Sequence, residues 1–158
     1  MKPVIRRARA EEAAPLRDLI VRSMAHWGHS PAYLNEARRL MSLSGADLDR
    51  DEAWVLTSGE RTIGFYRISR QAGNAMEIEE LHLEPAWIGK GLGRRLFEHA
   101  ADRARRAGAQ RLCWATDRFA LGFYRAMGGA IVGTRPSGIA GDEPLLQMEL
   151  RLDPADRV

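Results

Sequence analysis

The chain has 158 residues, of which 45% are apolar and 28% charged. At this length a folded chain buries about 70% of its unfolded surface, and the composition excludes a disordered, collagen-like or disulfide-built protein. Twenty-four Lys and Arg against 21 Asp and Glu leave a formal charge of +3, too small to argue for a nucleic-acid partner.

The positive charge is nearly all arginine, with lysine only at Lys2 and Lys90, and this reads as composition bias. The basic runs at Arg6, Arg7, Arg9 and at Arg103, Arg105, Arg106 sit among acids and lack the interleaved aromatics of a nucleic-acid surface. No apolar run approaches the ~18 residues needed to cross a bilayer. No hydrophobic stretch follows the N-terminal charges, so no signal peptide is expected. Cys113 is the only cysteine and cannot form an internal disulfide. The expectation is one domain over residues 1–158, in a reducing, cytoplasmic setting, with no membrane partner.

Residues 4–9 read as a first strand. Leu16, Leu19, Ile20, Val21 and Met24 recur at helical spacing over residues 11–24, and Pro15 falls near the first turn, where its missing N–H costs little. Ser30-Pro31 is a helix start, with the helix running to about residue 43. Gly45, Asp47, Asp49 and Asp51 read as a loop. Strands follow over residues 53–57, 62–69 and 77–83, joined by turns, and Pro85 ends the third. Gly89-Lys90-Gly91-Leu92-Gly93 then opens a helix to about residue 107. A strand at 111–115, a helix at 119–127, a strand at 130–134, a Gly/Pro loop at 136–144 and a last strand at 146–152 complete the chain. The order β-α-α-β-β-β-α-β-α-β-β predicts an α/β (α+β) fold with a mixed, mostly antiparallel sheet and about four helices.

The strongest local signal is Leu81 to Gly93. Glycines let a ligand approach the backbone, and the first-turn N–H groups of a helix lack internal partners and carry partial positive charge. This suits a pyrophosphate, with Lys90, Arg94 and Arg95 adding charge. The dinucleotide pattern fails because Arg94 stands at its third glycine, and the nucleoside-triphosphate loop fails because Gly91 follows Lys90.

The stretch Leu81-His82-Leu83-Glu84-Pro85-Ala86-Trp87-Ile88-Gly89-Lys90-Gly91-Leu92-Gly93 resembles the acetyl-CoA motif Q/R-x-x-G-x-G/A of the GNAT superfamily of N-acetyltransferases. Downstream, Asp117-Arg118-Phe119-Ala120-Leu121-Gly122-Phe123-Tyr124-Arg125-Ala126-Met127-Gly128-Gly129 resembles its N-x-x-A-x-x-F-Y-x-x-x-G segment. The interval between the two and the element order match as well. Ile88 replaces the usual Arg or Gln, and Asp117 the usual Asn. An ionised Asp only accepts hydrogen bonds, whereas Asn also donates.

The resemblance implies the GNAT fold and an acetyl-CoA-dependent N-acetyltransferase in which a primary amine attacks directly in a ternary complex. It implies cofactor contacts at Leu81, His82, Leu83, Ile88, Gly89, Lys90, Gly91, Leu92, Gly93, Arg94, Asp117 and Tyr124. It also implies an oxyanion donor in the backbone around residues 81–83, strands splayed about the cofactor arm, and Tyr124 as the acid at the thioester sulfur. A phenol of pKa ~10 suits that role.

The base is expected at Glu80 ahead of Glu79, with His82 a neutral base or relay. Regular strand geometry puts Glu79 and Glu80 on opposite faces and His82 with Glu80, but the family often has a bulge here, which reverses such assignments. The resemblance places the acceptor site at the first two helices, where His26, Trp27, His29 and Tyr33 stand within eight residues, with Trp27 or Tyr33 suited to a cationic amine. No metal site is expected. His26 and His29 lack a third ligand, and the alternating aspartates lack the glycine and glutamate of a calcium loop. A silent acyl-CoA-binding domain and a protein-acetylating enzyme are the alternatives, and a homodimer through exposed final strands is left open.

Overall fold

The computed structural model describes residues 2–139 and 141–152; the two ends of the expected domain, and residue 140 of the Gly/Pro loop, lie outside the described residues. The first strand, β1 (Val4–Arg7), leads through a 3₁₀ turn (Ala10–Glu12) into α1 (Ala13–His26), α2 (Pro31–Leu40) and α3 (Gly45–Arg50). Then come β2 (Glu52–Ser58), β3 (Arg61–Gln71), β4 (Ala75–Leu83), a second 3₁₀ turn (Pro85–Trp87) and α4 (Leu92–Arg106). The chain continues through β5 (Arg111–Thr116), α5 (Leu121–Ala126), β6 (Ala130–Arg135) and β7 (Leu145–Arg151). All seven strands form one sheet in the order β1-β2-β3-β4-β5-β7-β6, with β4–β5 the parallel pair and the other neighbours antiparallel.

The expected fold class holds, with one added helix. Residues 45–51 are not a loop throughout. Ser44 Oγ accepts the Asp47 N–H, and Asp47 Oδ2 accepts the Ser44 N–H, a reciprocal cap that starts α3. Capping residues are also turn residues, so a short capped helix has the composition of a loop. Leu48, fully buried, anchors it. The helix expected from residue 119 begins two residues later, because Asp117 Oδ1 accepts the N–H groups of Phe119 and Ala120.

The sheet carries a core on each face. One packs α4 and α5 against Tyr66, Ile68, Ile78 and Leu83. The other packs α1 and α3 against Val55 and Phe65. Two irregularities in β4 shape the space between them. Arg67 pairs with Glu80 and Ile68 with Ile78, so Glu79 is an extra residue bulged out of register. Beside it, β4 pairs with β5 only from Ala75 to Glu77, opposite Arg111 to Cys113. Beyond that point the two parallel strands diverge.

The bulge overturns the opposite-face expectation for Glu79 and Glu80. Glu79 accepts from Ser69 Oγ at 2.7 Å, and Glu80 accepts from both Nε and Nη2 of Arg67 at 2.8 and 2.9 Å. Ser69 and Arg67 are two residues apart on β3 and share a face, so both carboxylates turn to the α1 side. Arg67 also donates to Asp51 at 2.6 Å, and Asp51 in turn accepts from Arg50. This buried network fixes the bulge.

Two outcomes follow. A Cβ added to Gly129 would lie 2.6 Å from Trp114 Cζ2 and 3.0 Å from the Tyr124 carbonyl, whereas one on Gly122 meets nothing within 4 Å. Gly129→Ala is expected to cost about 1–3 kcal/mol and Gly122→Ala nothing measurable, read by thermal denaturation. Arg67→Met leaves the buried Glu80 carboxylate without its ion-pair partner and Asp51 with Arg50 alone, a loss of about 3 kcal/mol. Burial already pushes the Glu80 carboxyl up against the pull of Arg67, and without Arg67 it moves further up. A carboxyl raised in the folded state destabilises its fold above that pKa. The deficit of the variant therefore narrows as pH falls through the carboxylate range, in urea titrations at stepped pH.

Candidate active site

The divergence of β4 and β5 opens a cleft of about 580 Å³. Residues 78–83 of β4 pair with β3 on one side only, leaving backbone groups on the other edge to face the opening. One end lies at the glycine turn. Gly89 and Gly91 have φ of +85° and +79°, a left-handed conformation that costs other residues about 1–2 kcal/mol, and nothing stands within 4 Å of where their side chains would be. Gly91 is the N-cap of α4, and no side chain caps the helix. Ile88 N–H donates to Pro85 and Arg95 N–H to Gly91; among the described residues, the amides from 89 to 94 have no turn or loop carbonyl as partner. The α4 start is therefore a row of free donors at the positive end of a four-turn helix.

The expected cofactor residues divide between side chains and backbone. Ile88, Gly89, Gly91, Gly93 and Arg94 line the cleft, as do Leu81, His82 and Leu83 on the free edge of β4. Lys90 is exposed and does not line it, while Leu92 packs toward the α4 core. Arg95 does not add charge at the turn, since its guanidinium donates to the Pro3 carbonyl at the far side of α4. Gly93 has a packing reason, for its Cβ would come 3.1 Å from Phe123 on α5. These features fit a diphosphate at the turn with an acyl arm running down the fork.

At the other end Tyr124 enters from α5. It is 8% exposed, with its ring 5.0 Å from Trp114 and 5.1 Å from Phe123. Burial, with Asp117 adding to it, pushes its phenol well up, so it stays protonated. His82 Nδ1 is 3.2 Å from Ser23 Oγ on α1. Burial pushes its imidazole down to about 4, so it is neutral at ordinary pH. Glu79 and Glu80 both line the cleft, but Glu80 is held by Arg67 and Glu79 is exposed on the bulge.

Of the expected acceptor residues, Trp27, His29 and Tyr33 line the cleft, whereas His26 is exposed outside it, edge-on to Trp27. Asp117 sits on the opposite wall, 3.1 Å from His29 Nε2.

Sequence reasoning missed Ser23, Arg67 and Phe119. Ser23 lies on the buried face of α1 with Leu16, Leu19 and Ile20, and a small polar residue on that stripe was its signal. Arg67 shares a strand face with the core residue Phe65, and a charge at an inward position requires a partner. Phe119 carried no such signal. Asp47 and Asp51 serve Arg50 and Arg67. The Cys113 thiol, pushed up by burial and acidic neighbours, donates to the Met76 carbonyl. Among the described residues, no helix is long and apolar enough to cross a membrane.

A model of the acetyltransferase (GNAT) family matches residues 14–128. Streptothricin acetyltransferase from Streptomyces lavendulae is 40% identical over 93 residues, 56% of this chain and 49% of that protein. The match thus spans about half the length of that relative. The PaiA N-acetyltransferase of Thermoplasma acidophilum, solved with coenzyme A, superimposes with a TM-score of 0.81 at 20% identity, over 96% of this chain and 99% of that one. Nourseothricin acetyltransferase superimposes at 0.60 with 26% identity, over 66% of each chain. The chain belongs to the acetyltransferase (GNAT) family of acetyl-CoA-using N-acetyltransferases.

Proposed function

We propose that this chain moves an acetyl group to a primary amine by direct attack, with donor and acceptor held together in the cleft and no covalent enzyme intermediate. The observation that carries the reading is the β4–β5 fork, with free amides of α4 at one end and Tyr124 and His82 at the other. Acetyl-CoA, when bound, supplies the acetyl group as a thioester. The amides at 91–94 and Arg94 would hold its diphosphate, and the free edge of β4 around residues 81–83 offers N–H groups to the carbonyl oxygen as charge develops there.

Tyr124 is the acid. Its phenol, held protonated by burial, donates its proton to the departing thiolate. The proton released by the amine goes to His82. Glu80 is a poor acceptor for it, because two hydrogen bonds from Arg67 occupy its carboxylate, and Glu79 is exposed on the bulge. In the tautomer whose Nδ1–H donates to Ser23 Oγ, His82 keeps a lone pair on Nε2. A desolvated imidazole does not retain a proton, so His82 acts as a relay toward solvent.

The acceptor is a compact amine. Trp27, His29 and Tyr33, from the end of α1 to the start of α2, line the cleft and support a small acceptor. The likeness to streptothricin acetyltransferase places a streptothricin in the panel of amines to assay.

Calorimetry with acetyl-CoA, and release of free thiol in the presence of primary amines, test the reading. Binding heat and amine-dependent thiol release are expected; no heat at millimolar acetyl-CoA removes it. Tyr124→Phe should lower kcat by about 10²-fold or more with acetyl-CoA affinity unchanged. His82→Gln should lower kcat by a similar factor while Glu79→Gln changes it little. The reverse pattern in steady-state rates would return the proton to the bulge.

A further inference from the structure

Acetyl transfer needs both walls of the cleft in register, and His29 joins them. His29 belongs to the connection between α1 and α2, and Asp117 begins the turn into α5. Their Nε2 and Oδ2 atoms are 3.1 Å apart. The His29 ring stacks on Tyr33, centroids 4.1 Å apart and planes 10° from parallel, and meets Phe119 edge-on at 5.0 Å. Its side chain is only 9% exposed, although Trp27, Gly28 and Ser30 around it are exposed. The other oxygen of Asp117 accepts the N–H groups of Phe119 and Ala120, at 2.9 and 3.3 Å. One carboxylate therefore holds both the turn leading into the Tyr124 helix and the loop on the acceptor side. The segment it reaches is lightly anchored, since α2 has no buried residue.

We propose that His29 is a positioning residue that latches the acceptor-side loop and α2 onto the cofactor-side turn through Asp117. The inference rests on the acetyl-transfer reading for its kinetic consequence only. The charged neighbours are engaged elsewhere. Arg118 pairs with Glu143 at 3.2 Å and lies over the Phe119 ring, and His26, at the end of α1, is exposed and contacts Trp27 instead.

His29→Phe keeps both ring contacts and removes the nitrogens, and His29→Gln keeps a neutral donor. Amide hydrogen exchange over residues 28–40, measured without ligand at one pH, is expected to show protection about three- to tenfold lower in His29→Phe than in the wild type, with part of it restored in His29→Gln. In turnover, His29→Phe should raise the acceptor KM by a similar factor and leave kcat nearly unchanged. Wild-type protection in His29→Phe, or an equal loss in both variants, overturns the proposal. The exchange result stands even if no amine is acetylated, which separates failure of the latch from failure of the catalytic reading.

Discussion

Everything at this site depends on two parallel strands that stop pairing. β4 and β5 share three residue pairs and then separate. A backbone edge that leaves its ladder must find another partner or meet water or a ligand. In this sheet the separation is filled from both faces, by Tyr124 and Trp114 from the α5 side and by Ser23 and His82 from the α1 side. The fork also points its opening at the start of α4, where Gly91 leaves the helix without a side-chain cap. One irregularity of strand pairing thus brings an apolar slot and a free strand edge into line with a helix end whose first amides lack a side-chain cap.

The charges are arranged along that line. Arg94 is the one guanidinium lining the cleft among the described residues, and it stands at the α4 end. Glu79, Glu80 and Asp117 line the other. Arg67 is neutralised by Glu80 and Asp51 and so adds little field of its own. The cleft has a positive end suited to a diphosphate and a negative end suited to an amine.

The fold was legible because its elements carry long periodic patterns, and β3, β4, α4 and β5 lie within a few residues of their expected places. What escaped was set by short-range hydrogen bonding and by partners distant in sequence. The Ser44–Asp47 cap turned an apparent loop into α3. The extra residue at Glu79 appears only when β4 is laid against β3, so the shared face of Glu79 and Glu80 is invisible in β4 alone. The glycine turn and Tyr124 were legible because each lies inside a compact motif. The role of Arg67 was not, because its partners are 16 residues before it and 13 after it. His29 was singled out among the aromatics of the α1–α2 region and lines the cleft; its tie to Asp117, across most of the chain, was not legible.

The three-pair junction also divides the sheet into two leaves. β1 to β4 are built from antiparallel neighbours, and β5, β7 and β6 form a second antiparallel set. The seam between the leaves is closed by a parallel pairing that must wait for the α4 crossover, the kind of non-local step that slows folding. A molecule seated in the fork touches both leaves and rivets the seam, so occupancy adds to the cohesion of the whole sheet in proportion to the logarithm of its concentration.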